Sequence, residues 1–272
     1  VLEIMTLSDL QSFVLGALQG LTEFLPVSSS AHLVIVPWLL GWRDPGLAYD
    51  VALHLGTLAA LLVYYRRQWS EIVRALVRPG ASGAAEAGSR RLLVLLVVAS
   101  VPGTLVGFLL EEQAETAFRA PALIAVTLSV MGVVLLLADR WSPQKRTVGE
   151  MTVVDALLIG LSQALAILPG VSRSGATITA GRIVGLRREE AANFSFMMAT
   201  PIIAGAGLLE ARKLVQAGID SEIVTGFLAS FVFSLIAIAA LVRFVRTRTY
   251  APFVWYRFAL ASVIAWAVLA RL

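Results

Sequence analysis

The chain has 272 residues, 58% of them hydrophobic and only 15% charged, with a mean hydropathy of +0.82 and a net charge of +4. Such a balance excludes an ordinary soluble domain and points to an all-α polytopic membrane protein. With no cysteine in the chain, a disulfide framework, a thiolate metal site and a cysteine nucleophile are excluded as well.

Taken in chain order, apolar runs fall at 10–25, 31–40, 47–65, 92–110, 121–138, 153–168, 175–186, 191–210, 223–242 and 252–270. Ahead of the first run there is no basic stretch leading into a short apolar core and a small-residue cleavage site, so no signal peptide is expected there. A helix crossing the hydrocarbon needs about 20 residues, with a lower limit near 17. The runs 47–65, 92–110, 121–138, 191–210, 223–242 and 252–270 meet that length. The remaining four form two adjacent pairs, one interrupted by "LPVSSSAH" and the other by "LPGVSRSGAT". Irregular backbone at membrane depth persists only where protein or a wet cavity surrounds it. Each pair is therefore expected to be a re-entrant helical hairpin that dips in and returns on its own side.

The two pairs read as copies. Gln19 aligns with Gln163 and Pro26 with Pro169, while Val27-Ser28-Ser29-Ser30 aligns with Val171-Ser172-Arg173-Ser174 after a one-residue shift at Gly170. Ala120-Pro121 and Ala251-Pro252 open the last span of each half. The expected fold is one integral membrane domain over 1–272, with repeat one at 1–140 and repeat two at 150–272, each a hairpin plus three spans. Three is odd, so the second copy is expected upside down, as an inverted-topology repeat whose site lies at the midplane. Loops 66–91, 139–152, 187–190 and 243–251 carry fourteen Lys and Arg, against five on the opposite side. That positive-inside bias places those loops in the cytoplasm and both termini outside. The basic residues thus follow the membrane segments and do not mark a nucleic-acid partner. Were all ten runs to cross, loops 187–190 and 243–251 would need separate placement; run length favours the hairpins. "RQWSEIVRALVR" puts Trp69, Ile72, Val73, Leu76 and Val77 on one helical face, as an interfacial helix would, and "PGASGAAEAGSR" reads as a flexible linker. The tryptophans mostly fall near the expected interfaces.

A charge inside a membrane segment costs at least about 2.5 kcal/mol on insertion scales, so such groups are functional candidates. Glu23, Arg173, Asp155, Glu210 and the two histidines His32 and His54 qualify. Gln19 and Glu23 are four apart and share a helix face. Pro26 stops that helix, Ser28 stands where an N-cap belongs, and Ser29 and His32, three apart, can meet in the next first turn. A serine beside a histidine, with a carboxylate near, is the minimum kit for an activated oxygen nucleophile. Equally, the serines could be caps and His32 a donor to a loop carbonyl. In the second cluster Gly170 and Gly175 permit close backbone approach, and Ser172, Ser174 and Thr177 supply hydroxyls. The helix start and Arg173 suit phosphate. A plain ion pair between Arg173 and Glu23 across the repeats is compatible with that role. Asp155 reads as a helix N-terminal charge, Glu210 as an interfacial residue near Arg212 and Lys213, and Gln163 as packing. His54 is read either as lining a cavity or as an interhelical hydrogen bonder.

The stretches "QGLTEFLPVSSSAHL", "LHLGT", "LPGVSRSGATIT" and "NFSFMMATP" together resemble the undecaprenyl-pyrophosphate phosphatase, or bacitracin-resistance, family over essentially the whole chain. The family's (Glu/Gln)-x-x-x-Glu motif is met by Gln19 and Glu23, and Pro-Gly-x-Ser-Arg-Ser-x-x-Thr by Pro169 to Thr177. Ala31 stands where the family commonly has Gly, and Gln19 where some members have Glu, which weakens position 19 as a metal ligand. The resemblance implies hydrolysis of undecaprenyl pyrophosphate to the monophosphate and inorganic phosphate, for recycling of the cell-wall lipid carrier and resistance to bacitracin. It also implies a divalent cation, Mg²⁺ or Ca²⁺, and a multi-pass location in the bacterial cytoplasmic membrane with the site open to the outer face. The expected partners are the lipid substrate and membrane lipid, with a homodimer left open. In the expected mechanism Ser29 attacks the terminal phosphorus, with His32 and Glu23 moving its proton, or with Glu23 on the metal. Arg173 would hold the phosphates, with Gln19, Ser28, Ser172, Ser174, Gly175 and Thr177 around them. His32, Ser172 and Ser174 remain rival nucleophiles, and an inverted-repeat carrier or flippase for an anionic lipid is the competing class.

Overall fold

The computed structural model describes residues 8–43, 46–77, 83–110, 117–218 and 220–271. Every regular element among them is helical: α1 (Asp9–Phe24), α2 (Ser29–Leu40), α3 (Leu47–Tyr64), α4 (Arg66–Val77), α5 (Ala84–Leu109), α6 (Pro121–Trp141), α7 (Val153–Ala164), α8 (Arg173–Ile183), α9 (Arg188–Ala217), α10 (Ser221–Val245) and α11 (Ala251–Leu269). Five stretches are long and apolar enough to cross a membrane: Ala84–Leu109, Pro121–Trp141, Arg188–Leu209, Ser221–Val245 and Ala251–Leu269. The chain is therefore a multi-pass membrane protein. The run expected as a sixth span is α3, whose described stretch Tyr49–Tyr64 groups with the shorter apolar helices, as do α2 and Val153–Ile167.

Local chemistry explains the ends. Ser8 and Gln11 form a capping box on α1, and Thr152 and Asp155 form one on α7. Pro121 sits in the first turn of α6, where its missing N–H costs nothing. α4 is amphipathic as expected, but it turns Ile72 and Ala75 inward, packs Trp69 on the core and leaves Val73, Leu76 and Val77 exposed. One expectation is corrected. The stretch read as a flexible linker is helical from Ala84, because Ala84, Ala85, Glu86 and Ala87 are strong helix formers following a Gly83 N-cap. Its positions 79–82, Arg78, and the side chains of Glu210, Arg212 and Lys213 lie outside the described residues.

α1 packs against α10 and α7 against α5; α3 packs against α9 and α6 against α11. The close crossings use small residues. On α1, Gly16 and Gly20 face backbone: a Cβ on Gly20 would stand 2.5 Å from the Ser230 carbonyl oxygen and 2.8 Å from the Ser234 nitrogen. On α7, a Cβ on Gly160 would stand 2.4 Å from the Ala99 carbonyl oxygen. Gly20→Ala should therefore push α1 off α10 and cost about 1–3 kcal/mol. Thermal unfolding in detergent checks this, with Gly205→Ala, which meets open space, as the neutral control. At the end of α8 remote from Arg173, buried Asp139 accepts hydrogen bonds from Arg182 Nε, Arg188 Nε and the Tyr250 main-chain N–H. This network locks α6, α8, α9 and α11 together.

Candidate active site

Both broken stretches turn by the same device. Ser28 (φ 74°) and Ser172 (φ 71°) are the non-glycine residues with positive φ among those described. Such backbone is strained for an L-residue by about 1–3 kcal/mol. Each serine caps the helix that follows it, accepting from the main-chain N–H of that helix's third residue, Ala31 for Ser28 and Gly175 for Ser172. Each also lies 3.2 Å from the hydroxyl two residues on, Ser30 and Ser174.

The two turns are tied to each other. The Gly170 N–H donates to Ser28 Oγ at 3.0 Å, and Ser174 Oγ donates to the Leu25 carbonyl at 3.1 Å. Gly170 itself has φ 93°, and a Cβ there would meet Thr127 Oγ1 at 2.0 Å, so only glycine fits this turn. Across both turns lies Arg257 of α11, 0% exposed. Its guanidinium donates to the carbonyls of Pro26 (3.1 Å), Gly170 (2.6 Å), Val171 (3.0 Å) and Leu128 (3.1 Å). One buried fork thus ties the main chain of both turns to α6.

The turns deliver a compact polar cluster. Ser29 Oγ donates to Glu23 Oε2 at 2.5 Å, and Arg173 Nη2 donates to Glu23 Oε1 at 2.9 Å. Gln19 Nε2 donates to Glu23 Oε2 at 3.1 Å, which leaves Gln19 Oε1 buried and without a partner. His54 Nε2 stands 3.8 Å from Glu23 Oε2, with a side chain 38% exposed, and its Nδ1 lies 2.7 Å from the Asp50 carbonyl. Ser29 and Arg173 are half-buried at the starts of α2 and α8. Helix starts carry main-chain N–H groups with no intrahelical acceptor and a partial positive charge. The cluster therefore joins a hydroxyl, a carboxylate within proton-transfer distance of it, and a guanidinium with two helix starts that suit anionic oxygens.

His32 is placed differently from expectation. Its Nδ1 lies 2.7 Å from the Ser28 carbonyl and its Nε2 2.7 Å from the Tyr256 hydroxyl. The expected Ser29–His32 pairing is thus replaced by Ser29–Glu23. As the N-cap, Ser28 directs its carbonyl to the residue four on, and the ring bridges that carbonyl to Tyr256 of α11. A carbonyl only accepts, so Nδ1 carries a proton. Ser172 and Ser174 are buried in capping and in tying the turns, and Thr177 Oγ1 lies 2.6 Å from Ser195 Oγ. Gly175 receives the Ser172 cap. Asp155 pairs with Arg146 at 2.6 Å, at the start of α7 and outside this cluster. Gln163, read as packing, has both amide atoms buried and unpartnered. Arg257 and Arg182 are not among the sequence candidates, yet they stand inside the apolar runs 252–270 and 175–186, where the cost of a membrane charge flags both.

A sequence profile described as bacitracin resistance protein BacA matches residues 12–263. Among curated relatives, an undecaprenyl-diphosphatase of Pelotomaculum thermopropionicum is 50% identical over 247 residues, covering 91% of this chain and 92% of the relative. Proteins of the same name from Moorella thermoacetica and Desulforudis audaxviator are each 48% identical. The first covers 94% of this chain and 96% of the relative, the second 97% and 100%.

Proposed function

Because the chain belongs to the bacitracin resistance protein family, we infer that it is an undecaprenyl-diphosphatase, a membrane hydrolase that converts the lipid-linked diphosphate to the monophosphate and inorganic phosphate. The observation that carries the chemistry is the Ser29 hydroxyl, 2.5 Å from a Glu23 carboxylate that Arg173 of the other turn also holds. Phosphoryl transfer requires mainly positioning and charge neutralisation. Ser29 Oγ attacks the terminal phosphorus and gives its proton to Glu23. The bond from that phosphorus to the bridging oxygen breaks, and the prenyl monophosphate leaves with the electron pair. Water then attacks the phosphoserine, losing a proton to solvent through the exposed His54 side. Inorganic phosphate departs as Ser29 Oγ recovers its proton from Glu23. His32 acts through Ser28: its ring braces the carbonyl of the strained turn that aims Ser29, and touches no reacting atom.

Two oxygens fit a divalent cation, which hard-ligand chemistry favours: Glu23 and the unpartnered Gln19 Oε1. Among the described residues no three His, Asp or Glu side chains gather into a metal-binding group. An Mg²⁺ or Ca²⁺ ion would therefore take most of its ligands from water and substrate phosphates, and when bound would neutralise their charge.

We read the fold as six spans and two re-entrant hairpins in an inverted repeat. The reciprocal packing of α1 on α10 and α7 on α5 supports this, as do the paired Ser28 and Ser172 turns. The positive-inside count supports a bacterial cytoplasmic membrane orientation with the site open to the outer face. The test is purified protein in detergent, given a prenyl diphosphate and Mg²⁺. The expected result is release of inorganic phosphate and, after acid quench, phosphate on Ser29. Phosphate trapped on another residue overturns the nucleophile, and binding without release points to a carrier.

A further inference from the structure

Behind Arg173 lies a cleft of about 170 Å³, lined by Gly103, Gly107, Gln163, Ile167, Arg173 and Ile202 among others. Among its lining residues only Arg173 and Gln163 carry polar side chains. Gln163 is only 5% exposed, and neither its Nε2 nor its Oε1 has a hydrogen-bond partner. Leaving a buried polar group unsatisfied costs about 1–3 kcal/mol, so a native structure seldom keeps one without use. The sequence explains why it is free. Gln19, at the equivalent place in repeat one, donates to a carboxylate four residues on, whereas the residue four beyond Gln163 is Ile167. Opposite it, Gly103 makes room: a Cβ there would stand 2.3 Å from Gln163 Nε2.

We propose that this cleft seats the phosphate that remains on the lipid, with Gln163 as a substrate-binding residue and the apolar walls taking the first carbons of the chain. The ligand class is a phosphate monoester of an apolar alcohol. This rests on the diphosphatase reading and extends it. The phosphorus attacked lies on the Ser29 side of Arg173. A diphosphate's second phosphorus is one bridging oxygen away, so Arg173, which holds Glu23 and also belongs to the cleft lining, is placed to serve both. The cleft has room for a phosphate and the first carbons of the chain. The rest of the chain is left to the lipid.

The test compares wild type with Gln163→Leu and Gly107→Leu, using a long-chain prenyl diphosphate as substrate and the prenyl monophosphate and inorganic phosphate as inhibitors. Because the Gln163 amide makes no bond, Gln163→Leu should keep or raise the melting temperature. A Cβ at Gly107 meets nothing within 4 Å, so Gly107→Leu folds yet fills the cleft. Both variants are expected to raise KM by about 10-fold or more, the value of a lost hydrogen bond to a charged group, with the effect on KM rather than kcat. They should weaken inhibition by the prenyl monophosphate in parallel and leave inhibition by inorganic phosphate unchanged. Wild-type KM and wild-type monophosphate inhibition in both variants overturn the proposal, as does a loss confined to kcat. If wild type releases no phosphate at all, the diphosphatase reading fails by itself. Direct binding of the prenyl monophosphate then decides the cleft: weaker binding by the variants upholds it and equal binding overturns it.

Discussion

Glu23→Gln is expected to lower kcat for phosphate release by about 10²–10⁴-fold, the usual contribution of a positioned general base. The carboxylate receives hydrogen bonds from Ser29, Gln19 and Arg173. Glutamine matches its shape but cannot take the Ser29 proton, and it turns an N–H₂ toward one of those donors. Arg173, whose side chain is 14% exposed, also loses its counter-charge but keeps a contact to the Ser195 carbonyl at 3.4 Å. The loss should therefore fall mainly on turnover, with a smaller fall in melting temperature. Glu23→Asp, which keeps a base at shorter reach, should lie between. Steady-state kinetics on folded variants decide it; Glu23→Gln retaining turnover within about 10-fold of wild type would remove the carboxylate from the chemical step.

The second large effect concerns Arg257. Its described hydrogen bonds all go to main-chain carbonyls, of Pro26, Leu128, Gly170 and Val171. Removing the guanidinium in Arg257→Met has two opposed consequences for stability. Four buried carbonyls lose a donor, each a loss of about 1–3 kcal/mol at most. Against this, the cost of holding a charge out of water, several kcal/mol, disappears. The terms oppose each other, so the melting temperature should fall by less than four lost hydrogen bonds alone would give. Activity has no such compensation. The fork sets the distance between the turn that carries Ser29 and the turn that carries Arg173, and a misplacement near 1 Å costs about 10²-fold. Arg257→Met is therefore expected to lose about 10²-fold in kcat. Arg257→Lys should recover little, because an ammonium cannot span four carbonyls as a planar fork does. Kinetics and thermal melts on the same preparations separate the two effects, and a fully active Arg257→Met would show that the turns hold their spacing without it.

Much of this site is legible in the sequence because it is local. The Pro26 stop, the Ser28 and Ser172 caps, and the shared face of Gln19 and Glu23 follow from spacings of three and four residues. The pairing of Arg173 with Glu23 is legible at one remove, because two charges in broken membrane segments need partners. The direction of His32 is not. It depends on the Ser28 carbonyl and on Tyr256, 224 residues away in sequence. Arg257 is visible as a charge in an apolar run, but its role needs two distant turns brought together. Gln163 looks like packing until Ile167 is seen to leave it nothing to bind. The linker expectation fails for a local reason: its glycines outweighed an alanine-rich stretch that starts a helix.

The packing of α1 against α10 bears on how the chain is made. The surface that α1 needs belongs to α10, which begins 212 residues later, at Ser221 against Asp9. At about 5–20 residues per second, roughly 10–40 s of synthesis separate them. During that interval the first hairpin, with its glycine face and buried carboxylate, has no permanent lodging in the bilayer. Assembly must therefore be completed after translation of the second half, and either half produced alone would be a ready client for quality-control proteases.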